Sequence, residues 1–168
     1  MSSSYEFNSV DRITIGTMGP VGERIFLLQL QSDGTVITVK LEKRQVGALC
    51  ERLTQIFEAA GDVGAMPTAD QLELAAPALP MWAIGGMTIG WDEDDREFNV
   101  RLEELIAEED VEPSDITFTA TLEQMAAFAE RGTELVGAGR PPCPLCSFPL
   151  DPRGHTCPRM NGHRAPLR

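Results

Sequence analysis

Four residues near the C-terminus carry the plainest chemistry in this chain. Cys143, Cys146, His155 and Cys157 lie within the stretch PPCPLCSFPLDPRGHTCPR. Cys143-Pro-Leu-Cys146 is a tight turn able to aim two thiolates at one ion. His155-Thr-Cys157 supplies two more ligands after an eight-residue gap that holds the turn-forming DPRG. Sulfur and imidazole donors on a short, Pro-rich segment suit a tetrahedral structural Zn2+. Residues 140–168 are too few to bury a core, so bound metal would supply their folding energy. The spacing departs from a zinc ribbon, because His-x-Cys stands where a second Cys-x2-Cys would be. His163 is therefore a rival to His155 as fourth ligand. Four protein ligands close the shell, which argues for a structural site; with a histidine unbound, an open position would remain. A redox Cys-x2-Cys would begin a helix after a strand. Here the motif follows GRPP and precedes SFPLDP, where no helix is expected.

The other candidates are weaker. From Asp92 to Asp115 there are twelve acidic residues against Arg96 and Arg101. The DEDD within this run lacks the alternating ligands and central glycine of a calcium loop, and reads as a solvated hairpin turn. GTMGPVGER, from Gly16 to Arg24, lacks the Gly-Lys-Ser/Thr ending of a phosphate loop and joins two strands instead. Both histidines lie in the tail, and no constellation for nucleophilic catalysis appears, so the catalytic residues are unknown. Cys50, at a helical apolar position in VGALCERL, reads as a small core residue.

The elements that position these residues come in two similar sets. Slid by 79 residues, Ile37–Ala60 matches Ile116–Gly139 at eight of 24 positions, among them Gln45/Gln124, Arg52/Arg131 and Thr54/Thr133. Slid by 72, ERIFLLQL from Glu23 matches DREFNVRL from Asp95, pairing Arg24 with Arg96. Agreement in order and pattern points to an internal duplication. Each half reads strand, strand, strand, helix. The first half has strands at Arg12–Met18, Arg24–Gln31 and Thr35–Leu41, with a hairpin turn at Asp33-Gly34. Its helix carries Val46, Leu49, Cys50, Leu53, Ile56 and Phe57 on one stripe and closes at Gly61. The second half has strands at Trp82–Trp91, Arg96–Ile106 and Asp115–Ala120. Thr121 and Gln124 then form a capping-box pattern at the start of its helix, which Gly137 and Gly139 end.

The expectation is an α+β body, residues 1–139, with mainly antiparallel sheet and two covering helices. Its halves are about 12–61 and 82–139. The linker, 62–81, reads as a loop with one short helical turn near Asp70–Leu74. Residues 140–168 form a C-terminal zinc knuckle. A cleft where the halves join is the natural ligand site. Arg24 and Arg96, recurring in both halves, suggest a structural ion pair or an anion-binding pair there.

Bulk properties narrow the function classes. The 168 residues carry a net charge of −12. Residues 140–168 hold five arginines (Arg140, Arg153, Arg159, Arg164 and Arg168) against Asp151, a charge of +4, which leaves −16 on the body. Phosphate backbones repel such a body, so nucleic acid is excluded except through the basic tail. No apolar run approaches the roughly 20 residues that span a bilayer. The N-terminus lacks the basic and apolar regions of a signal peptide. A cytoplasmic, reducing location follows, where clustered cysteines bind metal rather than pair as disulfides.

DRITIGTMGPVGERIFLLQL, VKLEKRQVGALCERL and GRPPCPLCSFPLDPRGHTCPRMNGHR together resemble an actinobacterial family known as domain of unknown function 3090. The resemblance spans nearly the whole chain. It implies that Cys143, Cys146, His155 and Cys157 match the family's tail motif, with His163 a less regular feature. It implies no established activity. Proteins of the family tend to be encoded near a histidine-phosphatase-like and a phosphatidylinositol-kinase-like protein, which suggests a shared pathway or complex. Ser147 stands where a glycine is common after such a knuckle.

The expected function is a non-enzymatic protein-binding or adaptor module, with an acidic surface offered to a protein partner. The alternative is an enzyme, or an accessory subunit of one, acting on a phosphorylated or nucleotide ligand between the halves.

Overall fold

The computed structural model describes residues 2–107, 111–150, 154, 155 and 157–160. Strand β1 is Ser4–Phe7, β2 Arg12–Met18, β3 Ile25–Ser32 and β4 Thr35–Leu41, followed by helix α1, Lys43–Ala60. The second set is β5, Ile84–Asp92, β6, Glu97–Glu104, β7, Asp115–Thr121, and helix α2, Leu122–Gly137. Strands β2 and β4 have the expected bounds, and the others differ at their ends. Strand β1 has no counterpart among the expected elements, since four residues are too few to show a period.

The strands form two sheets. One has the order β2-β3-β4 and is antiparallel throughout. The other has the order β1-β7-β6-β5, antiparallel except that β1 runs parallel to β7. Asp33 and Gly34 turn β3 into β4 with φ of 49° and 78°, the left-handed pair that a two-residue hairpin loop requires. At the β5–β6 turn, Asp92 Oδ1 accepts from the backbone N–H groups of Asp94 and Asp95. The DEDD run is thus the expected hairpin turn.

The sheets meet at both ends of the structure in a matching way. Just before β2, Val10 N–H donates to Thr119 O of β7 at 3.0 Å. Just before β5, Met81 N–H donates to Thr38 O and Lys40 N–H to Trp82 O. Both helices start with a capping box, Glu42 with Gln45 and Thr121 with Gln124. Each of these glutamines also reaches the opposite half: Gln45 Nε2 donates to Ile84 O and Gln124 Nε2 to Val10 O, both at 2.9 Å.

One continuous core fills the space between sheets and helices. Ile15, Leu28, Leu30, Val39 and Leu41 from the first sheet meet Phe98, Leu102, Ile116 and Phe118 from the second. Val46, Leu53, Leu122 and Phe128 close it from the helices. Each such side chain contributes about 1.5–3 kcal/mol by leaving water. The halves interlock: Phe57 of α1 stacks edge-on against Phe98 of β6 at 5.9 Å, and Arg131 Nε of α2 donates to Ile15 O of β2. Cys50 is buried, as expected, and burial pushes its thiol pKa up. A Cβ on Gly132 would lie 2.6 Å from Cys50 Sγ. Glycine is what lets α2 come this close to α1.

The helices run antiparallel. The start of α1 lies at the end of α2, where a Cβ on Gly139 would sit 2.7 Å from Lys43 Nζ. The other end brings Gly64, just past α1, to Glu123 in the first turn of α2.

The linker does more than connect. Its short 3-10 turn, Ala69–Leu72, and the residues after it lie on the outer face of the first sheet. Thr14 Oγ1 donates to Leu72 O. The Gln29 amide accepts from Ala75 N–H at 2.7 Å and donates to Ala75 O at 3.0 Å. Leu74 presses on Gly16, where a Cβ would lie 2.6 Å from it.

Candidate metal centre

Two proline-flanked strand pieces hold the knuckle together. Pro142 and Pro149 form an isolated antiparallel bridge. Cys143 N–H donates to Phe148 O, Ser147 N–H to Cys143 O and Leu150 N–H to Pro141 O, at 2.8–2.9 Å. Between the bridged residues the chain must turn within six residues, and Ser147 does so at φ 63°. That is left-handed backbone, which explains why a glycine suits the position. Gly154, at φ 86°, makes the corresponding turn ahead of His155.

These turns bring the four expected ligands together. The donor atoms of Cys143, Cys146, His155 and Cys157 all lie within 4.8 Å of one another. Cys143 Sγ is 4.0 Å from Cys157 Sγ, and Cys146 Sγ is 3.8 Å from His155 Nε2. A tetrahedral ion with bonds of about 2.3 Å to sulfur and about 2.0–2.1 Å to nitrogen needs donors roughly 3.6–3.8 Å apart. The set therefore fits a metal ion with little rearrangement and is consistent with a zinc knuckle. The spacing also exceeds the ~2.05 Å of a disulfide, and all four cysteines are free thiols.

The electrostatics favour a thiolate. Backbone N–H of Leu145 aims at Cys143 and, with that of Cys146 and hydrogen bonds from His155 and Cys146, brings its pKa down from 9.0 to about 6. Burial pushes the Cys146 thiol up instead. Neighbouring sulfurs that share one site titrate as a pair. A divalent cation would supply the counter-charge.

His163 lies outside the described residues, as do Arg153, Arg164 and Arg168 of the basic tail and Glu108, Glu109 and Asp110 of the acidic run. Arg24 and Arg96 do not meet. Arg24 Nη1 donates to Ala138 O at the end of α2. Arg96 donates to Ala60 O and Asp62 O at the end of α1, at 3.1 and 2.8 Å. Each arginine therefore ties its own hairpin to the last carbonyls of the other half's helix, at opposite ends of the antiparallel pair. Those carbonyls are the orphan acceptors of a helix terminus, and a guanidinium is a suitable donor for them.

Two cavities bear on ligand binding. One, about 400 Å3, runs between the helices along Gly47, Glu51, Thr54, Gln55, Thr133 and Val136. It lies at the junction of the halves but has no cationic wall. The other, about 330 Å3, lies at the seam between body and knuckle, and both Lys43 and Arg140 join Arg24 in its lining. Sequence reasoning passed over Lys43 and read Arg140 only as part of the basic tail. One signal could have marked the first: α1 opens with Lys43-Arg44 and no acidic residue, against the preference of a helix N-terminus.

Among the described residues, no helix is long and apolar enough to cross a membrane. No curated protein and no solved structure matches the chain. One family model covers body and knuckle together, residues 5–157, and the chain therefore belongs to the family described as "Protein of unknown function (DUF3090)".

Proposed function

We propose that the chain is a zinc-containing, non-enzymatic protein-binding module of a reducing cytoplasm. The observation that carries the metal assignment is the convergence of three sulfurs and one imidazole nitrogen within 4.8 Å. Three soft donors and one borderline donor in a tetrahedron favour zinc over harder divalent ions. Four protein ligands leave no position for a substrate, so the ion is structural.

The knuckle then acts as a platform. Leu145 and Phe148 flank Cys146 and are 47% and 59% exposed. Large apolar side chains held rigidly at a surface are the usual anchors of a protein interface. The acidic body would steer a basic partner toward them. We also infer that the two halves descend from one duplicated unit. The matched glutamine contacts across the halves and the reciprocal reach of Arg24 and Arg96 support this reading.

Elemental analysis of the purified chain should find one zinc per molecule. A tagged chain expressed in its native host should recover one stoichiometric partner. Leu145→Ser with Phe148→Ser should reduce that recovery, and so should 0.5 M salt. Zinc without any stoichiometric partner would overturn the binding reading and leave the metal reading standing. The alternative reading sets a phosphorylated or nucleotide ligand between the halves near Arg24 and Arg96, whose separation argues for two distinct sites rather than one.

A further inference from the structure

The cavity at the seam between body and knuckle is unlike the rest of this acidic protein. Arg24, Lys43 and Arg140 line it together with Phe26, Leu135 and Pro149. They come from distant parts of the chain: the end of the β2–β3 connection and the start of β3, the first residue of α1, the end of α2 and the segment after it, and the knuckle. Arg24 gives one N–H to Ala138 O, and a guanidinium has five. Lys43 has no carboxylate partner among the described residues. A Cβ on Gly139 would lie 2.7 Å from Lys43 Nζ and one on Gly22 3.4 Å from Arg140 Nε. The Lys43 ammonium thus packs against the bare Cα of Gly139, and the Arg140 guanidinium lies beside Gly22.

The opposite end of the helix pair provides an internal control. There Arg96 caps α1, and Glu123 stands in the first turn of α2, its Oε1 accepting from Gly64 N–H at 3.2 Å. That end carries its own carboxylate. At the seam the corresponding first turn carries Lys43 and Arg44, and the acid there is the N-cap, Glu42, whose carboxylate accepts from the helix's own backbone and lies 4.0 Å from Lys40 rather than on the cavity wall. The two ends share a backbone plan, so capping alone does not explain why one of them concentrates cations around a cavity.

We propose that this cavity binds a small phosphomonoester. Its phosphoryl group lies among Arg24, Lys43 and Arg140, where charge-assisted hydrogen bonds converge. Its carbon part lies on Phe26, Leu135 and Pro149. About 330 Å3 is at the lower end of small-ligand sites, which limits the ligand to one compact ring or short chain. Arg140 and Pro149 belong to the tail, so the bound ligand holds the knuckle against the body and stabilises that arrangement by mass action. The proposal does not depend on a protein partner.

The test is calorimetric titration of the full, zinc-loaded chain with phenyl phosphate, inorganic phosphate and phenol, at ionic strength matched with sodium chloride. Saturable binding of phenyl phosphate is expected, tighter than that of inorganic phosphate, with none of phenol. Lys43→Gln should weaken phenyl phosphate about tenfold. Arg44→Gln, which changes the same helix turn but not the cavity wall, should leave binding unaltered. No binding of phenyl phosphate at 10 mM would overturn the proposal. Equal losses in the two variants would overturn it as well, by showing diffuse attraction. Phosphate binding as tightly as its ester would overturn the assignment of the apolar wall to a ligand.

Discussion

Body and knuckle are stabilised by different physics. In the body, Phe98, Phe118, Phe128 and a shell of aliphatic side chains are fully enclosed. In the knuckle, the only buried residues described between 141 and 159 are Cys143 and Cys157, and both are metal-ligand candidates. Hydrophobic burial grows with the amount of surface enclosed, so it can sustain the body and not a segment of fewer than 30 residues. For the knuckle the ligand set is the core. On the metal reading proposed above, the body should outlast loss of the ion and the knuckle should not.

Metal removal is the strongest way to break that comparison. Chelation, or Cys143→Ser, should abolish hydrogen-exchange protection at Cys143, Ser147 and Leu150, whose N–H groups are bonded within the knuckle. Peptides spanning β3 and β4 should keep theirs. Equal loss in both regions would show that the body depends on the knuckle. Acid should act in the same direction. The folded knuckle holds the Cys143 pKa at about 6, against 9.0 ordinarily. A depressed pKa contributes stability that is complete above pH 9 and lost as pH falls through about 6. Metal binding also needs the thiolate, so zinc retention measured against pH should collapse near or below pH 6, with the body still folded.

Phe128→Ala provides the converse. Phe128 is wholly buried in the core, and its truncation should cost about 3–5 kcal/mol in denaturant unfolding of the body. Zinc content should be unchanged in the folded fraction.

A finer contrast divides the body itself. At equivalent positions of the two duplicate-like hairpins, the first sheet has Leu27 and Gln29 where the second has Asn99 and Arg101. Leu27 and Gln29 are buried, and the Gln29 amide is covered by the linker, bonded to both backbone groups of Ala75. Arg101 is half-exposed and meets Glu103 and Asp115 in open ion pairs. Gln29→Ala would strand the N–H and C=O of Ala75, at about 1–3 kcal/mol. Arg101→Ala should lie within about 0.5 kcal/mol. Equal costs in urea melts would mean that the linker does not cover the first sheet in solution.

The smallest effect sharpens the knuckle. Ser147 occupies left-handed backbone, which costs an L-residue about 1–2 kcal/mol. Ser147→Gly should slow zinc transfer to a chelator several-fold. Unchanged kinetics would mean that the turn is not strained.

Some of this architecture was legible in the residues. Cys143, Cys146, His155 and Cys157 announce themselves, because few side chains ligate metal and their spacing restricts the turns between them. The Thr121–Gln124 capping box and the Asp33-Gly34 turn were equally readable, since both depend on neighbours within four residues. The linker was not. Read as a loop between halves, it covers a sheet face, a role that depends on Gln29 meeting Ala75 across 46 residues. Arg24 and Arg96 recur as expected, but their partners lie 114 and 36 residues away, and no local pattern specifies such a reach.

The sequence by itself determined the strands other than β1, both helices, the Thr121–Gln124 cap and the identity of the candidate ligands. These follow from side-chain type and from periods of two and 3.6 residues, which act over one or two turns of chain. Tertiary structure alone decided that the strands divide into two sheets, that the arginines cap opposite helix ends, and that Arg24, Lys43 and Arg140 line one cavity. Such outcomes come from the path by which distant segments enclose a shared core, and that path is set by packing and closure rather than by any local run of residues.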